Sequence, residues 1–141
     1  MRCYAIGYQG KSVDALCERL SAAGVDVLID VRERAWSNRP EYRKTALSHS
    51  LAARGIRYEH VREAGNPFRP RGTEKVDRDR CLKSYSSYID SKPELVDTLR
   101  ARARAERVAF FCYEASSDDC HRGVLLDRIL RKNKSYRVTH L

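Results

Sequence analysis

Cys112, Glu114, Cys120, His121 and Arg122 fall within one short stretch of the chain. Two thiols, a carboxylate, an imidazole and a guanidinium so close together can do nucleophilic, acid–base and anion-binding chemistry. Glu114 follows an apolar run. Partial desolvation there raises a carboxylate's pKa and suits it to general acid or base work. It can also attack a sugar carbon, or pair with Arg122 or Arg32 and only hold the turn. Cys112 ends the apolar run, either as a small packed hydrophobe or as a nucleophile activated by a neighbouring cation. Cys120 precedes a helical pattern, where the dipole lowers a thiol's pKa. His121 is an acid–base candidate or a helix-cap histidine. Arg122 stands in a first helical turn, against the macrodipole. That suits an anion bound at the helix end, or an ion pair with Asp118 or Asp119.

A second group follows the apolar run 25–31. Arg32 can grip a phosphate or carboxylate bidentately. Asp30 can orient a ribose hydroxyl or share acid–base work with Glu114. Alternatively the two form a buried pair that ties loops together. Tyr8 and Gln9 follow the first apolar run and join the substrate-binding candidates. Arg34, Arg39, Arg43 and Lys44, with Trp36 and Tyr42 interleaved, suit phosphate contacts and base stacking. Arg100, Arg102, Arg104 and Arg107 read as a solvated helix face. Adjacent Cys120 and His121 chelate one ion poorly and no paired-ligand spacing is present, so no metal is expected, and no cofactor is implied.

These groups must be positioned by the elements around them. Apolar runs at 3–6, 25–31 and 108–113, and an alternating run at 56–61, predict strands, with a fifth at 136–140. Ser12 can cap a helix in which Val13, Leu16, Cys17 and Leu20 recur at helical spacing, ended by Gly24. Further helices are expected over 45–54, 82–88, 93–105 and 123–132. The segment 62–80, rich in Gly, Pro and charge, is expected to be a lid or partner-binding loop, too polar for the core. Alternating strands and helices predict a single α/β domain over residues 1–141, a Rossmann-like sandwich on a mostly parallel sheet of about five strands. Right-handed crossovers then bring the ends of the first, second and fourth strands to one edge, with the helix after Cys120 pointing its amino end there.

The chain has 141 residues, enough for one core, and no apolar run long enough for a membrane span. No signal peptide is read at its start, and five scattered cysteines are not a disulfide framework, so a cytoplasmic protein is expected. The net charge of +9 points to an anionic substrate or nucleic acid, although an Arg-rich surface would also account for it. Composition does not fix the oligomeric state.

Residues 5–9 (Ala-Ile-Gly-Tyr-Gln), 27–32 (Val-Leu-Ile-Asp-Val-Arg), 55–58 (Gly-Ile-Arg-Tyr), 112–114 (Cys-Tyr-Glu) and 120–122 (Cys-His-Arg) resemble motifs of DUF488, an uncharacterised bacterial family. The resemblance implies an α/β fold with a polar site at the strand ends, and no particular reaction. The first motif of that family reads closer to Ile-Gly-His-Ser. Tyr8 and Gln9 stand in its place here, so no role of the usual histidine is carried over.

The expectation from these residues is a small enzyme acting on a nucleotide, nucleoside or nucleic-acid base. Two alternatives stand beside it. One is a non-catalytic nucleic-acid binder. The other is a rhodanese-like thiol enzyme, suggested by residues 30–32 (Asp-Val-Arg) but disfavoured by acidic Asp118 and Asp119 in the loop after Cys112.

Overall fold

A computed structural model of the chain describes residues 2–68, 78–115, 121–131 and 137–141. The strands are β1 (Arg2–Gly7), β2 (Val27–Asp30), β3 (Arg57–His60), β4 (Val108–Cys112) and β5 (Arg137–His140). They form one sheet in the order β3-β2-β4-β1-β5, and every pairing is parallel. The α/β architecture expected from the alternation is therefore present. The helices are α1 (Val13–Ala22), α2 (Lys44–Ala52), α3 (Arg78–Asp90), α4 (Pro93–Ala105) and α5 (His121–Leu130).

Strand alternation divides the core into two layers. Cys3, Ala5, Val27, Ile29, Val108 and Phe110 face α3, α4 and α5 through Tyr85, Leu99 and Leu125. Tyr4, Ile6, Leu28, Ala109 and Phe111 face α1 and α2 through Leu16, Leu20, Leu47 and Leu51. β2, β4 and β1 are buried on both faces, which is why their sequences are nearly continuous apolar runs. β3 and β5 are the edges and carry the charged and half-buried residues.

Local signals account for the helix boundaries. The Ser12 hydroxyl accepts from Ala15 N–H at 3.1 Å and caps α1. Gly24 and Gly55 take φ of +71° and +72° just beyond α1 and α2, a conformation that stops a helix and favours glycine.

Two expectations are corrected. The segment from residue 62 is not wholly a polar loop, because Arg62–Ala64 forms a 3-10 turn and Ala64, Gly65 and Asn66 are buried. The Tyr85 hydroxyl donates to Ala64 O at 2.7 Å and anchors that turn, while residues 69–77 lie outside the described residues. The second correction concerns the arginines of α4. Arg100 is buried, with Nε donating to Ile129 O at 2.8 Å and Nη2 to Arg128 O at 2.9 Å. It donates to carbonyls of the last turn of α5, where a helix runs out of its own donors. Arg102 pairs with Glu59 of β3 at 2.7 and 2.9 Å. Arg104 and Arg107 are exposed, as expected of a solvated face. Among the described residues, no helix is long and apolar enough to cross a membrane.

Candidate functional site

The strand order creates a crevice. β1 and β4 are neighbours, yet the chain leaves β1 toward α1 on one face and β4 toward α5 on the other. Loops that diverge in this way open a cleft at the carboxyl edge of a parallel sheet. The register aligns Gly7 with Cys112 and Asp30 with Phe111, so three strands end at one level. A crevice of about 720 Å³ opens there, a size typical of small-molecule sites. Tyr8 reaches it from β1, Arg32, Arg34, Trp36 and Arg39 from the loop after β2, Asn66 from beyond β3, Tyr113 from beyond β4, and His121 from α5.

Arg32 is the buried cation of this crevice. Its Nε donates to both Asp30 carboxylate oxygens at 2.9 and 3.0 Å, and its Nη2 donates to Oδ2 at 2.7 Å. The Tyr58 hydroxyl of β3 also donates to Oδ2, at 2.5 Å. Burial, then the Asp30 charge, pushes the Tyr58 phenol far above its ordinary pKa, so it stays a donor. Burial alone would lower the Arg32 pKa, but the Asp30 hydrogen bonds and charge outweigh it and the net shift is upward. The guanidinium lies 5.5 Å from the Tyr8 ring and 5.0 Å from the Phe111 ring. Its Nη1 makes only a long 3.5 Å approach to Trp36 O, which leaves that corner available to an anion. Asp30 is fully buried and is not among the described residues that line the crevice. Its contacts match the buried-pair reading, in which it orients Arg32.

Arg122 is likewise buried completely and does not face the crevice opening. Nη1 donates to Ile6 O at 2.7 Å and Nη2 to Glu114 O at 3.0 Å. It joins the end of β1 to the segment after β4. Gly7 permits this closeness, because a Cβ there would lie 1.7 Å from Glu114 O. Gln9 belongs to the same seam: its N–H donates to Tyr113 O at 2.8 Å, and its Oε1 accepts from Ala115 N–H at 3.2 Å. The Glu114 side chain is partly buried and is not among the described residues that line the crevice. Gln9, the Glu114 carbonyl and Arg122 thus tie β1 to the segment after β4.

His121 is buried except where its ring meets the crevice. Nε2 lies 2.7 Å from Val31 O, and Nδ1 lies 3.9 Å from Cys112 Sγ. Burial disfavours the imidazolium, yet the charge and hydrogen bond of Cys112, the Val31 carbonyl and the Glu114 charge together hold its pKa above the ordinary value. Cys112 itself is buried at the end of β4. Cys120 lies outside the described residues, as do Asp118 and Asp119.

The rim carries the remaining candidates. Trp36 is 54% exposed, and the Arg43 guanidinium covers one ring face at 4.8 Å. Arg43 Nε donates to Ser37 O at 3.0 Å. Arg39 donates to Lys11 O at 2.6 Å, Tyr8 O at 3.4 Å and Glu41 at 3.0 Å. Both arginines therefore brace the loop with donors that were expected to meet phosphates. Arg34 is exposed and lines the crevice, whereas Lys44 is exposed but does not line it. Tyr42, expected beside Trp36 for stacking, is fully buried, stacked on Tyr8 at 4.3 Å. Its ring fills the core because residues 40–42 form a 3-10 turn that faces inward.

Sequence reasoning missed Glu33, Ser37, Asn38, Asn66 and Tyr113 as lining residues. Tyr113 could have been found, since a large aromatic directly after a buried strand faces the strand-end crevice. The inward turn of Asn66 leaves no such local signal. Among the described residues, no group of three or more His, Cys, Asp or Glu is placed to hold a metal ion. No curated protein and no solved structure matches the chain. A family model described as "Domain of unknown function DUF488" does match, over residues 12–129, a range that holds β2, β3, β4 and the described crevice-lining residues apart from Tyr8: the chain belongs to the DUF488 family.

Proposed function

We propose that the protein is a small enzyme acting on a nucleotide, nucleoside or nucleic-acid base bound in the carboxyl-edge crevice. The observation that carries this reading is the lining itself. Arg32 and Arg34 meet Tyr8, Trp36 and Tyr113 around one cleft. Cations for a phosphate beside aromatic faces for a base are the two halves of nucleotide recognition. Trp36 offers an open ring face with Arg43 fixed behind it. Arg32, oriented by Asp30, offers an anion a corner that needs no rearrangement. Because Arg39 and Arg43 brace the loop, the exposed charge suits a compact ligand better than a long strand.

Trp36 is the sole tryptophan, so its fluorescence reports the site directly. Titration with nucleoside monophosphates at low salt should change the emission saturably. Arg34→Ala should weaken binding about tenfold, the worth of roughly one charge-assisted hydrogen bond. Short oligonucleotides run in parallel separate a free nucleotide from a polymer. Polymer affinity should fall linearly in log–log against salt, with a slope set by the phosphates contacted. An emission that no nucleotide or oligonucleotide alters, or a saturable change that Arg34→Ala leaves intact, would contradict the reading.

A further inference from the structure

Directly beneath the crevice lining stands a pair of groups that ligand binding alone does not use: His121 lines the crevice, and Cys112 is buried next to it. Cys112 ends β4 and His121 begins α5, with Sγ and Nδ1 at 3.9 Å. The other ring nitrogen, Nε2, lies 2.7 Å from Val31 O. A backbone carbonyl only accepts hydrogen bonds, so Nε2 must carry the proton. A neutral imidazole has a single N–H, so Nδ1 is then a bare lone pair, and it faces the thiol. Both ring nitrogens are therefore engaged away from the crevice opening. Tyr85 of α3 packs edge-on against the ring, centroids 5.0 Å apart, and holds its orientation. Nucleophile, base and orienting group thus stand in series, at the looser spacing usual before a substrate is bound.

We propose that Cys112 is a nucleophile, that His121 is its general base, and that the Val31 carbonyl fixes the tautomer of that base. The substrate class is a compound with an electrophilic carbon bearing a leaving group. Nδ1 takes the thiol proton, and the sulfur electron pair forms a C–S bond. The bond from carbon to the leaving group breaks; its electron pair departs with that group, which takes the proton from Nδ1. Water then gives a proton to Nδ1 as its oxygen bonds the carbon, and sulfur leaves with the C–S electron pair and is reprotonated. The net reaction is hydrolysis. This goes beyond the nucleotide reading by naming the reacting atom, and it does not require the ligand to be a nucleotide.

Among the described residues, the groups that bear on the imidazole include Cys112 from β4, Glu114 just after it, Tyr85 from α3 and Arg32 on the shared crevice wall. Once Nδ1 has taken the thiol proton, the upward shift of His121 favours keeping it there as the imidazolium. A raised pKa means that the charged form persists to higher pH, so thiolate reactivity should hold level across neutrality instead of rising with pH.

The test is alkylation by iodoacetamide, small enough for a covered thiol, followed by peptide mapping. Cys112 and Cys120 share the tryptic peptide 108–122, so the chain used is Cys120→Ser. The Cys112 rate should be nearly flat between about pH 6 and 8, where that of a free cysteine peptide rises about tenfold per unit. His121→Gln should make the Cys112 rate climb with pH and slow it about tenfold at the acid end. Ultraviolet thiolate absorbance of the Cys120→Ser chain, with and without Cys112→Ser, gives a second readout that needs no histidine variant. Thiolate signal should be present at about pH 6 and vanish with Cys112→Ser. Labelling of Cys112 only in denaturant, a rate that climbs in parallel with the free peptide, or absorbance unaffected by Cys112→Ser would each overturn the proposal. The tryptophan titration can fail while Cys112 still reacts as expected, so the two readings fall separately.

Discussion

Arg122→Ala should destabilise the chain by about 3–5 kcal/mol, among the largest losses that any single side chain can produce here. The guanidinium is 0% exposed and bridges Ile6 O to Glu114 O. Alanine removes the donors, takes one hydrogen bond from each carbonyl and leaves a void where a long side chain stood. The seam between β1 and β4 should loosen with it. Amide exchange at Tyr8 and Gln9, whose N–H groups bond Cys112 O and Tyr113 O, should accelerate more than exchange in β2. Arg122→Lys keeps the charge but reaches only one carbonyl well, so its loss should be roughly half as large. Denaturant midpoints measure all three chains. A loss below about 1 kcal/mol for alanine would mean that the guanidinium is not the tie described.

Asp30→Ala should cost about as much, 3–5 kcal/mol, for a different reason. It leaves the Arg32 cation buried without its counter-charge and removes the acceptor of the Tyr58 hydroxyl. Arg32→Met alone should also destabilise, because it strands the Asp30 carboxylate. The double change Asp30→Leu with Arg32→Met should lose less than Asp30→Ala, since a buried pair replaced by apolar groups forfeits little once both charges are gone. Additive losses would contradict the coupling. The double variant should also lose the proposed nucleotide binding, which separates the stabilising role of the pair from the anion-binding role proposed for it.

The positions of β1, β2 and β4 are legible in the chain because their apolar runs stop abruptly at Gly7, Asp30 and Cys112. Polar residues at those stops mark the strand-end edge, and Tyr8, Arg32, Trp36 and His121 do meet there. Two kinds of feature are not legible. A guanidinium that solvates a phosphate and one folded back onto a carbonyl look alike in a sequence, so Arg39, Arg43 and Arg100 are read as surface charge while they hold loops and a helix end. Partners distant along the chain are hidden too. Nothing near Asp30 announces the Tyr58 hydroxyl, and nothing near His121 announces the Val31 carbonyl. Both contacts exist only because parallel strands bring their carboxyl ends to one level.

A crystal of the full chain soaked with a nucleoside monophosphate tests the central claim most directly. The account predicts density at the carboxyl edge, with the base against the open face of Trp36 and the phosphate within hydrogen-bond reach of Arg32 Nη1 and Arg34. Density at the opposite sheet edge, in the hollow beside Arg2, Arg104 and Arg107, would contradict it. So would a carboxyl-edge crevice left empty at ligand concentrations that saturate the protein in solution.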